Sequence, residues 1–175
     1  MTVASFREAT ADDAESVVSL VESAYRGDSS RAGWTTEADL LDGQRTDVRA
    51  VRTTIATEDR LVLLAFESGS LLGCCELRRL PDNAAYFGMF AVVPTLQGGG
   101  VGKLILAEAE RRVSDVWDAE RMEMTVLAQR EDLIAWYERR GYRRTGLTEP
   151  FPYGDERFGL PRRRDLVFEK LAKAL

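Results

Sequence analysis

Residues 92–110 read VVPTLQGGGVGKLILAEAE. Three consecutive glycines at 98–100 are followed by Gly102 and Lys103, and then by apolar residues at helical spacing. Glycine is costly to order because it loses more conformational freedom than any other residue, so this density needs a use. The start of a helix exposes unpaired N–H groups and the positive end of the helix dipole, which together bind phosphate. The stretch therefore predicts a strand, a phosphate-binding loop and a helix.

Two other glycine-rich loops fit this stretch poorly. A nucleoside-triphosphate loop needs a longer spacer between its glycines and a hydroxyl residue after its lysine, but Leu104 follows Lys103 here. A dinucleotide-binding loop needs a glycine where Lys103 stands. An ordinary strand-to-helix turn needs fewer glycines. We expect instead that backbone N–H groups, Lys103 and Gln97 bind a pyrophosphate without a metal ion.

The composition is that of a globular protein. With 175 residues, 45% hydrophobic and 30% charged, the chain is expected to form one domain over 1–175. A net charge of −5 argues against nucleic acid as a partner. No apolar run reaches the roughly 20 residues that span a bilayer, and no signal peptide is evident, so a cytoplasmic protein without a membrane partner is expected. We expect a monomer or a homodimer.

The chain contains no histidine, which removes the commonest general base and the commonest metal ligand.

Hydrophobic patterning predicts an α+β fold with a mostly antiparallel sheet around one strand–loop–helix–strand unit. Gly88 indicates a bulge or a close approach within its strand. Helices are expected over 11–25, 36–44, 100–116 and 131–140, and strands over 3–10, 61–66, 71–80, 84–93, 121–127, 142–146 and 164–170, with 148–161 irregular. In the helix after the loop, the residues expected to face the core are Val101, Leu104, Ile105 and Val116.

The order V-x-P-x-x-Q-G-x-G-x-G over 92–102 resembles the acetyl-coenzyme-A signature of the GNAT N-acetyltransferase superfamily, whose core is [RQ]-x-x-G-x-[GA]. Downstream, AWYERRGY over 135–142 is similar to a second block of that family, with the alanine shifted. The resemblance covers essentially the whole chain. It implies the GNAT fold, with acetyl coenzyme A as co-substrate and no metal.

The resemblance also implies roles for individual residues. The pantetheine arm would bond to the backbone of Phe90, Ala91 and Val92, and Tyr137 would protonate the departing thiolate. The chain departs from the family at Arg130, where many members have an asparagine that contacts the cofactor. Backbone amides would hold the pyrophosphate, and the residues that supply them would be Gln97, Gly98, Gly99, Gly100, Val101, Gly102 and Lys103.

Acetyl transfer to an amine also needs a general base, which cannot be histidine here. Glu76 and Glu37 are the candidate side chains, and an ordered chain of water molecules is the alternative. The resemblance also implies that the acceptor lies beside segments 33–47 and 151–159, and the mixture of aromatic and acidic side chains there suits a cationic amine. The residues expected to bind it are Trp34, Glu37, Tyr153 and Asp155.

The sequence thus predicts an N-acetyltransferase that moves an acetyl group from acetyl coenzyme A to a primary amine by direct attack in a ternary complex. A small-molecule amine is the expected acceptor. Two alternatives stay open. One is a protein acetyltransferase that acts on an N-terminus or a lysine, and the other is a coenzyme-A-binding sensor domain without catalytic activity.

Overall fold

The computed structural model describes residues 5–175, which form four α-helices and nine strands within that range. Every helix described is too short or too polar to cross a membrane. The helices are α1 (Ala14–Tyr25), α2 (Val48–Ala56), α3 (Val101–Trp117) and α4 (Glu131–Glu138). The strands are β1 (Ser5–Glu8), β2 (Leu41–Asp42), β3 (Arg60–Glu67), β4 (Ser70–Leu80), β5 (Ala84–Val92), β6 (Arg121–Leu127), β7 (Arg143–Pro150), β8 (Leu160–Pro161) and β9 (Val167–Ala174).

Seven strands form one sheet in the order β1-β3-β4-β5-β6-β9-β7, and β2 pairs with β8 in a separate two-stranded ladder. Neighbours in the large sheet are antiparallel except for β5 and β6, which run parallel and are joined through the glycine loop and α3. The predicted α+β fold with one central strand–loop–helix–strand unit is therefore confirmed.

Strands β5 and β6 pair over a short distance only. Their parallel register covers Ala84–Tyr86 against Arg121–Glu123, and no further pair joins them within the described chain. The second half of β5 and the second half of β6 are consequently separate. A sheet that opens at its middle offers backbone and side chains to a ligand between the two strands.

Strand β5 carries the predicted bulge directly after Gly88. Glu76 of β4 pairs with Gly88, whereas Cys74 pairs with Ala91, so two residues of β5 stand opposite one residue of β4. One of the two, Met89, has φ +45°, which lies in the left-handed region. A bulge of this kind bends the strand and interrupts its pairing. It lies just beyond the point where β5 and β6 part.

Helices α3 and α4 pack on one face of the sheet. Phe87, Ile105 and Ile134 are among the buried side chains there. Helix α3 buries Ile105 in a stripe that repeats every four residues and includes Val101, as predicted. The prediction was wrong for Leu104 and Val116, which are exposed. Leu104 lies on the side of the helix away from this stripe, and Val116 lies in its last turn.

Helices α1 and α2 pack on the opposite face, where Val17, Val21 and Val51 are buried against the sheet. The sequence did not predict α2 and wrongly placed a helix over 36–44, which forms turns and β2. Helix α2 begins after Asp47, whose side chain caps the helix by accepting a hydrogen bond from Ala50 N–H at 2.8 Å. Val51 is the only fully buried residue of that helix, so its apolar periodicity is weak.

The predicted boundaries also differ near the two ends of the chain. Strand β7 continues to Pro150, into a segment expected to be irregular, and the last strand begins at Val167 rather than at residue 164. Strand β9 lies between β6 and β7 and pairs with both. Residues 3 and 4 of the first predicted strand lie outside the described residues, and the strand is observed over Ser5–Glu8.

The close approach of β4 and β5 makes Gly73 a sensitive position. A Cβ atom there would lie 2.7 Å from the Ala91 carbonyl oxygen and 2.5 Å from the Ile105 side chain. We expect Gly73→Ala to lower the free energy of unfolding by about 1–3 kcal/mol, because backbone must move. Equilibrium urea denaturation measures this, with Ser70→Ala at the exposed start of the same strand as the control. Equal stability of the two variants would contradict the close packing.

Candidate active site

The glycine loop leaves a row of N–H groups without acceptors at the start of α3. Within residues 5–175, these are the N–H groups of Gly98, of Gly100 and of the first three residues of α3. Leu104 N–H is the first to bond, to the Gly100 carbonyl oxygen at 3.2 Å. Gly98 and Gly100 have φ values of +85° and +93°, which favour glycine. Because the loop is exposed, this row of donors is open to an anion such as a phosphate group.

Two of the backbone amides expected to bind the pyrophosphate already have partners. Gln97 N–H bonds to the Pro94 carbonyl oxygen and Gly99 N–H to the Leu96 carbonyl oxygen, each at 3.3 Å. Lys103 is exposed and forms no ion pair in the part of the chain that the structure describes. The N–H groups without acceptors are therefore concentrated in the glycine loop and in the first turn of α3.

The side chain of Gln97 holds the loop in place. Its Oε1 accepts from Thr35 N–H at 3.1 Å, and its Nε2 donates to Thr35 Oγ1 at 2.8 Å and to the Val92 carbonyl oxygen at 3.1 Å. We expected this side chain to donate to a phosphate, but all its hydrogen bonds are internal. Gln97 thus ties the end of β5 to the segment that follows α1.

Arg130 fastens the same segment from the other side. Its Nη1 donates to the Thr35 carbonyl oxygen at 3.0 Å and lies 3.8 Å from Glu37 Oε1. Arg26 Nη1 lies 2.6 Å from Glu37 Oε2. Arg26 and Arg130 are both buried, and Glu37 compensates the charge of Arg26 and shares that of Arg130 with the exposed Asp132, whose Oδ1 lies 3.6 Å from Arg130 Nε. The predicted roles of Glu37, as a base or an acceptor ligand, therefore compete with a structural one.

A cavity of about 670 Å3 fills the space where β5 and β6 have parted. It extends from α1 and α2 on one side of the sheet to α4 on the other. Its wall combines Tyr137 with both candidate bases, Glu37 and Glu76. The other charged residues in the wall are Arg26, Arg45, Asp47, Arg60, Arg78, Glu149 and Arg157.

Tyr137 of α4 is buried against aromatic rings. Phe87, Trp136 and Tyr142 contact it edge to face, with ring centroids 6.4, 5.1 and 5.8 Å away. Its hydroxyl has no hydrogen-bond partner among the described residues, while the residue lines the cavity. Burial raises the pKa of Tyr137 well above its usual value of 10, so the hydroxyl keeps its proton at neutral pH. The group is available as a proton donor.

Glu76 of β4 reaches the cavity from the face that α1 and α2 cover. Its Oε1 lies 3.8 Å from Arg60 Nη1 on the adjacent strand. Burial raises the pKa of Glu76 above its usual value of 4.5, although Arg60, Arg78 and Arg45 act in the opposite direction. A carboxylate with a raised pKa accepts a proton more readily than an exposed one.

The end of β5 was predicted to bond to a pantetheine arm through Phe90, Ala91 and Val92. Two of the three carbonyl oxygens have internal partners, because the Tyr25 hydroxyl donates to that of Phe90 and the Gln97 side chain to that of Val92. Ala91 pairs with Cys74 of β4. The contacts we expect from this segment therefore depend mainly on its N–H groups.

Three of the four residues expected to bind the acceptor do not line the cavity. Trp34 packs on Trp136, with ring centroids 6.3 Å apart. The Tyr153 hydroxyl donates to the Arg163 carbonyl oxygen at 2.9 Å, and Asp155 pairs with Arg157 at 2.6 Å. Glu37 is the one expected residue in the cavity wall.

Sequence reasoning missed several residues of the cavity wall. Tyr25, Arg45 and Arg60 come from α1, from the segment before α2 and from β3, and only the fold brings them together. Arg78 carries a sequence signal, because it lies two residues after Glu76 and therefore on the same face of β4. No group of three or more histidine, cysteine, aspartate or glutamate side chains suited to a metal ion occurs over residues 5–175.

Residues 18–142 match the model of the acetyltransferase (GNAT) family. A search of curated proteins gives no match. An IAA acetyltransferase from Bacillus cereus is similar in structure, with 16% identity and a TM-score of 0.66 over 99% of this chain and 100% of that one. A ribosomal-protein-S18-alanine N-acetyltransferase from Escherichia coli has 13% identity and a TM-score of 0.72 over 98% and 94%.

A third structure is that of a candidate streptothricin acetyltransferase from Bacillus anthracis, solved in complex with acetyl coenzyme A. It has 17% identity and a TM-score of 0.59, with 71% of this chain and 68% of that chain covered. At these identities each likeness concerns the fold, and the three proteins differ in what their names say they act on.

The buried charges around Glu37 lead to a stability prediction. Glu37→Gln leaves the buried Arg26 without a carboxylate and leaves Arg130 with only the exposed Asp132 at 3.6 Å, so we expect the free energy of unfolding to fall by about 3 kcal/mol. The control is Asp39→Asn, since the pair that Asp39 forms with Arg31 is exposed and should contribute little. Urea denaturation of both variants measures the two changes in the free energy of unfolding. An equal, small loss in the two would show that the Glu37 carboxylate is not structural.

Proposed function

The chain belongs to the GNAT family of acetyltransferases, with acetyl coenzyme A as the acetyl donor, and we propose that it acetylates a small primary amine by direct attack in a ternary complex. One observation carries the proposal. The cavity between β5 and β6 has Tyr137, a buried and protonated donor, and Glu76, a carboxylate with a raised pKa, in the same wall. The N–H groups of the glycine loop and of the first turn of α3, which together form the phosphate cradle, come after β5 in the chain.

In this proposal the cradle binds the donor. The N–H groups of Gly98, Gly100 and the first turn of α3 hold the pyrophosphate, and Lys103 adds a positive charge. The N–H groups of Phe90 and Val92, on either side of the paired Ala91, orient the pantetheine arm along the open edge of β5. When bound there, acetyl coenzyme A supplies an activated thioester.

The two candidate catalytic side chains then have complementary tasks. An amine attacks only when it is neutral, and Glu76 takes up the proton that the amine must lose. Tyr137 holds a proton that it can give to a leaving thiolate, since a phenol is a suitable acid for a basic leaving group. Arg26, Glu37 and Arg130 keep the segment after α1 in position.

The dimensions of the cavity favour a small acceptor. A volume of about 670 Å3 is in the range of pockets that enclose small ligands. A protein N-terminus or lysine side chain is the second candidate acceptor, because the structural neighbours include an enzyme named for a ribosomal protein. The proposal takes residues 1–175 as one domain that acts in the cytoplasm as a monomer or a homodimer.

Release of free thiol from acetyl coenzyme A tests the proposal, with a chelator present and a panel of small amines and peptides as acceptors. We expect release that depends on a small amine. Preference for peptides would favour the protein acetyltransferase. Binding of acetyl coenzyme A without release of its thiol in the presence of any acceptor would favour the sensor domain and overturn the proposal.

The position of Tyr137 predicts a selective loss of turnover. Tyr137→Phe removes only the hydroxyl, so kcat should fall about 10²- to 10⁴-fold while acetyl coenzyme A binds as before. Tyr142→Phe is the control, because it removes a hydroxyl that bonds to Glu110 at 2.9 Å outside the cavity wall. Full activity of Tyr137→Phe would assign this residue to the core alone.

The raised pKa of Glu76 predicts the pH dependence. A base works when it is deprotonated, so kcat/KM should rise with pH through a pKa above the usual 4.5 of glutamate. Glu76→Gln should remove this acid limb and lower the plateau, whereas Glu58→Gln, an exposed control, should leave the profile unchanged. An unchanged limb in Glu76→Gln would assign the base to another group or to water.

A further inference from the structure

Two arginines face each other across β3 and β4 at one end of the cavity. Arg60 pairs directly with Arg78, and Arg78 pairs with Tyr86 on β5, so the three side chains form a row on one face of the sheet. The neighbouring row contains Glu76 opposite Gly88. Like charges that stand directly opposite each other in a sheet are unfavourable unless something compensates them.

A third arginine, Arg45, lines the same cavity from the segment before α2. Glu22 Oε1 anchors this segment by accepting from the backbone N–H groups of Arg45 and Thr46 at 2.6 and 2.8 Å. The guanidinium group of Arg45 lies 5.7 Å from the centre of the Tyr25 ring. A cation beside an aromatic face is held in a defined position.

Arg78 is held in a similar way. Its guanidinium carbon lies 4.6 Å from the centre of the Tyr86 ring, and its Nε is buried without a hydrogen-bond partner. The Tyr86 hydroxyl is in turn fixed by a 3.1 Å hydrogen bond with Thr125 Oγ1 of β6. Arg78 is thus preorganised, with donor capacity that the described chain does not use.

Of these three arginines, only Arg60 has an acidic partner in the cavity wall. Glu76 is 3.8 Å from Arg60, while Glu37 is taken by Arg26 and Asp47 caps α2. Glu149 is solvent exposed. Neither Arg45 nor Arg78 forms an ion pair within residues 5–175. The end of the cavity around Glu76 therefore has an excess of positive charge.

We propose that the acceptor is an amine that also carries an anionic group, a carboxylate or a phosphonate, which Arg45 and Arg78 bind while the amino group lies towards Glu76. Guanidinium groups suit such anions because their N–H donors match two oxygens at once. This deepens the proposed function and rests on it. It also reverses the charge expected from the sequence, since Trp34, Tyr153 and Asp155 do not line the cavity.

A panel of matched acceptors tests the charge preference through thiol release. The panel compares each standard L-amino acid with its methyl ester, and aminomethylphosphonate with methylamine. Carboxylates and phosphonates are thus tested separately. At least one acid-bearing member should exceed its neutral partner in kcat/KM by about 10- to 100-fold. Equal rates for acids and their neutral partners would overturn the inference and leave the proposed function intact.

Substitution of the arginines identifies the residues responsible. Arg78→Met and Arg45→Met should each raise KM for the acid-bearing acceptor about 10- to 100-fold and change KM for its ester little. Arg78→Lys should restore part of the difference. Arg79→Met is the control, because Arg79 is exposed on the other face of β4, 3.8 Å from Asp59. Thermal melting of each variant shows that it is folded.

Retention of the full acid-over-ester preference in both folded methionine variants would overturn the inference. If no amine is turned over, the proposed function fails, and calorimetric titration of the same panel into the complex with coenzyme A decides the charge question alone. Tighter binding of the acids, lost in Arg78→Met, would still support the anion site. Equal binding of acids and esters would contradict it.

Discussion

Three residue pairs hold β5 and β6 together before a bulge at Met89 interrupts the regular course of β5. Backbone polar groups that lose a strand partner need another one. Here the Tyr25 hydroxyl and the Gln97 side chain donate to two carbonyl groups of β5. The opening is thus stabilised by polar contacts, and the cavity that contains Tyr137 and Glu76 exists because the ladder stops there.

Thr35 connects the two halves of the site. Its backbone and hydroxyl groups bond to Gln97 of the glycine loop and its carbonyl oxygen to Arg130 before α4. The Arg26–Glu37–Arg130 group fixes the segment that contains Thr35. The donor side and the acceptor side of the sheet therefore share supports, and a change at either one is felt at the other. This gives Arg130, which departs from the family pattern, a positioning role.

Local patterns predicted the fold and the position of the glycine loop before α3. The glycine loop, the strands on either side of it and the bulge at Gly88 each depend on neighbouring residues, so the sequence contains the information. The acceptor side could not be predicted in this way. Arg60, Arg78 and Tyr86 meet only through the register of three strands, and Arg45 joins them through an anchor on α1. In the sequence, Asp39 and Asp155 lie near Trp34 and Tyr153 and suggest a site for a cation, but in the fold they pair with Arg31 and Arg157.

A crystal structure with coenzyme A bound would show whether donor and acceptor meet where β5 and β6 part. We expect the pyrophosphate on the N–H groups of Gly98, Gly100 and the first turn of α3. The thiol sulfur should lie between β5 and β6, within hydrogen-bonding distance of the Tyr137 hydroxyl. A pyrophosphate on the glycine loop with the sulfur outside this opening, away from Tyr137, would contradict this expectation.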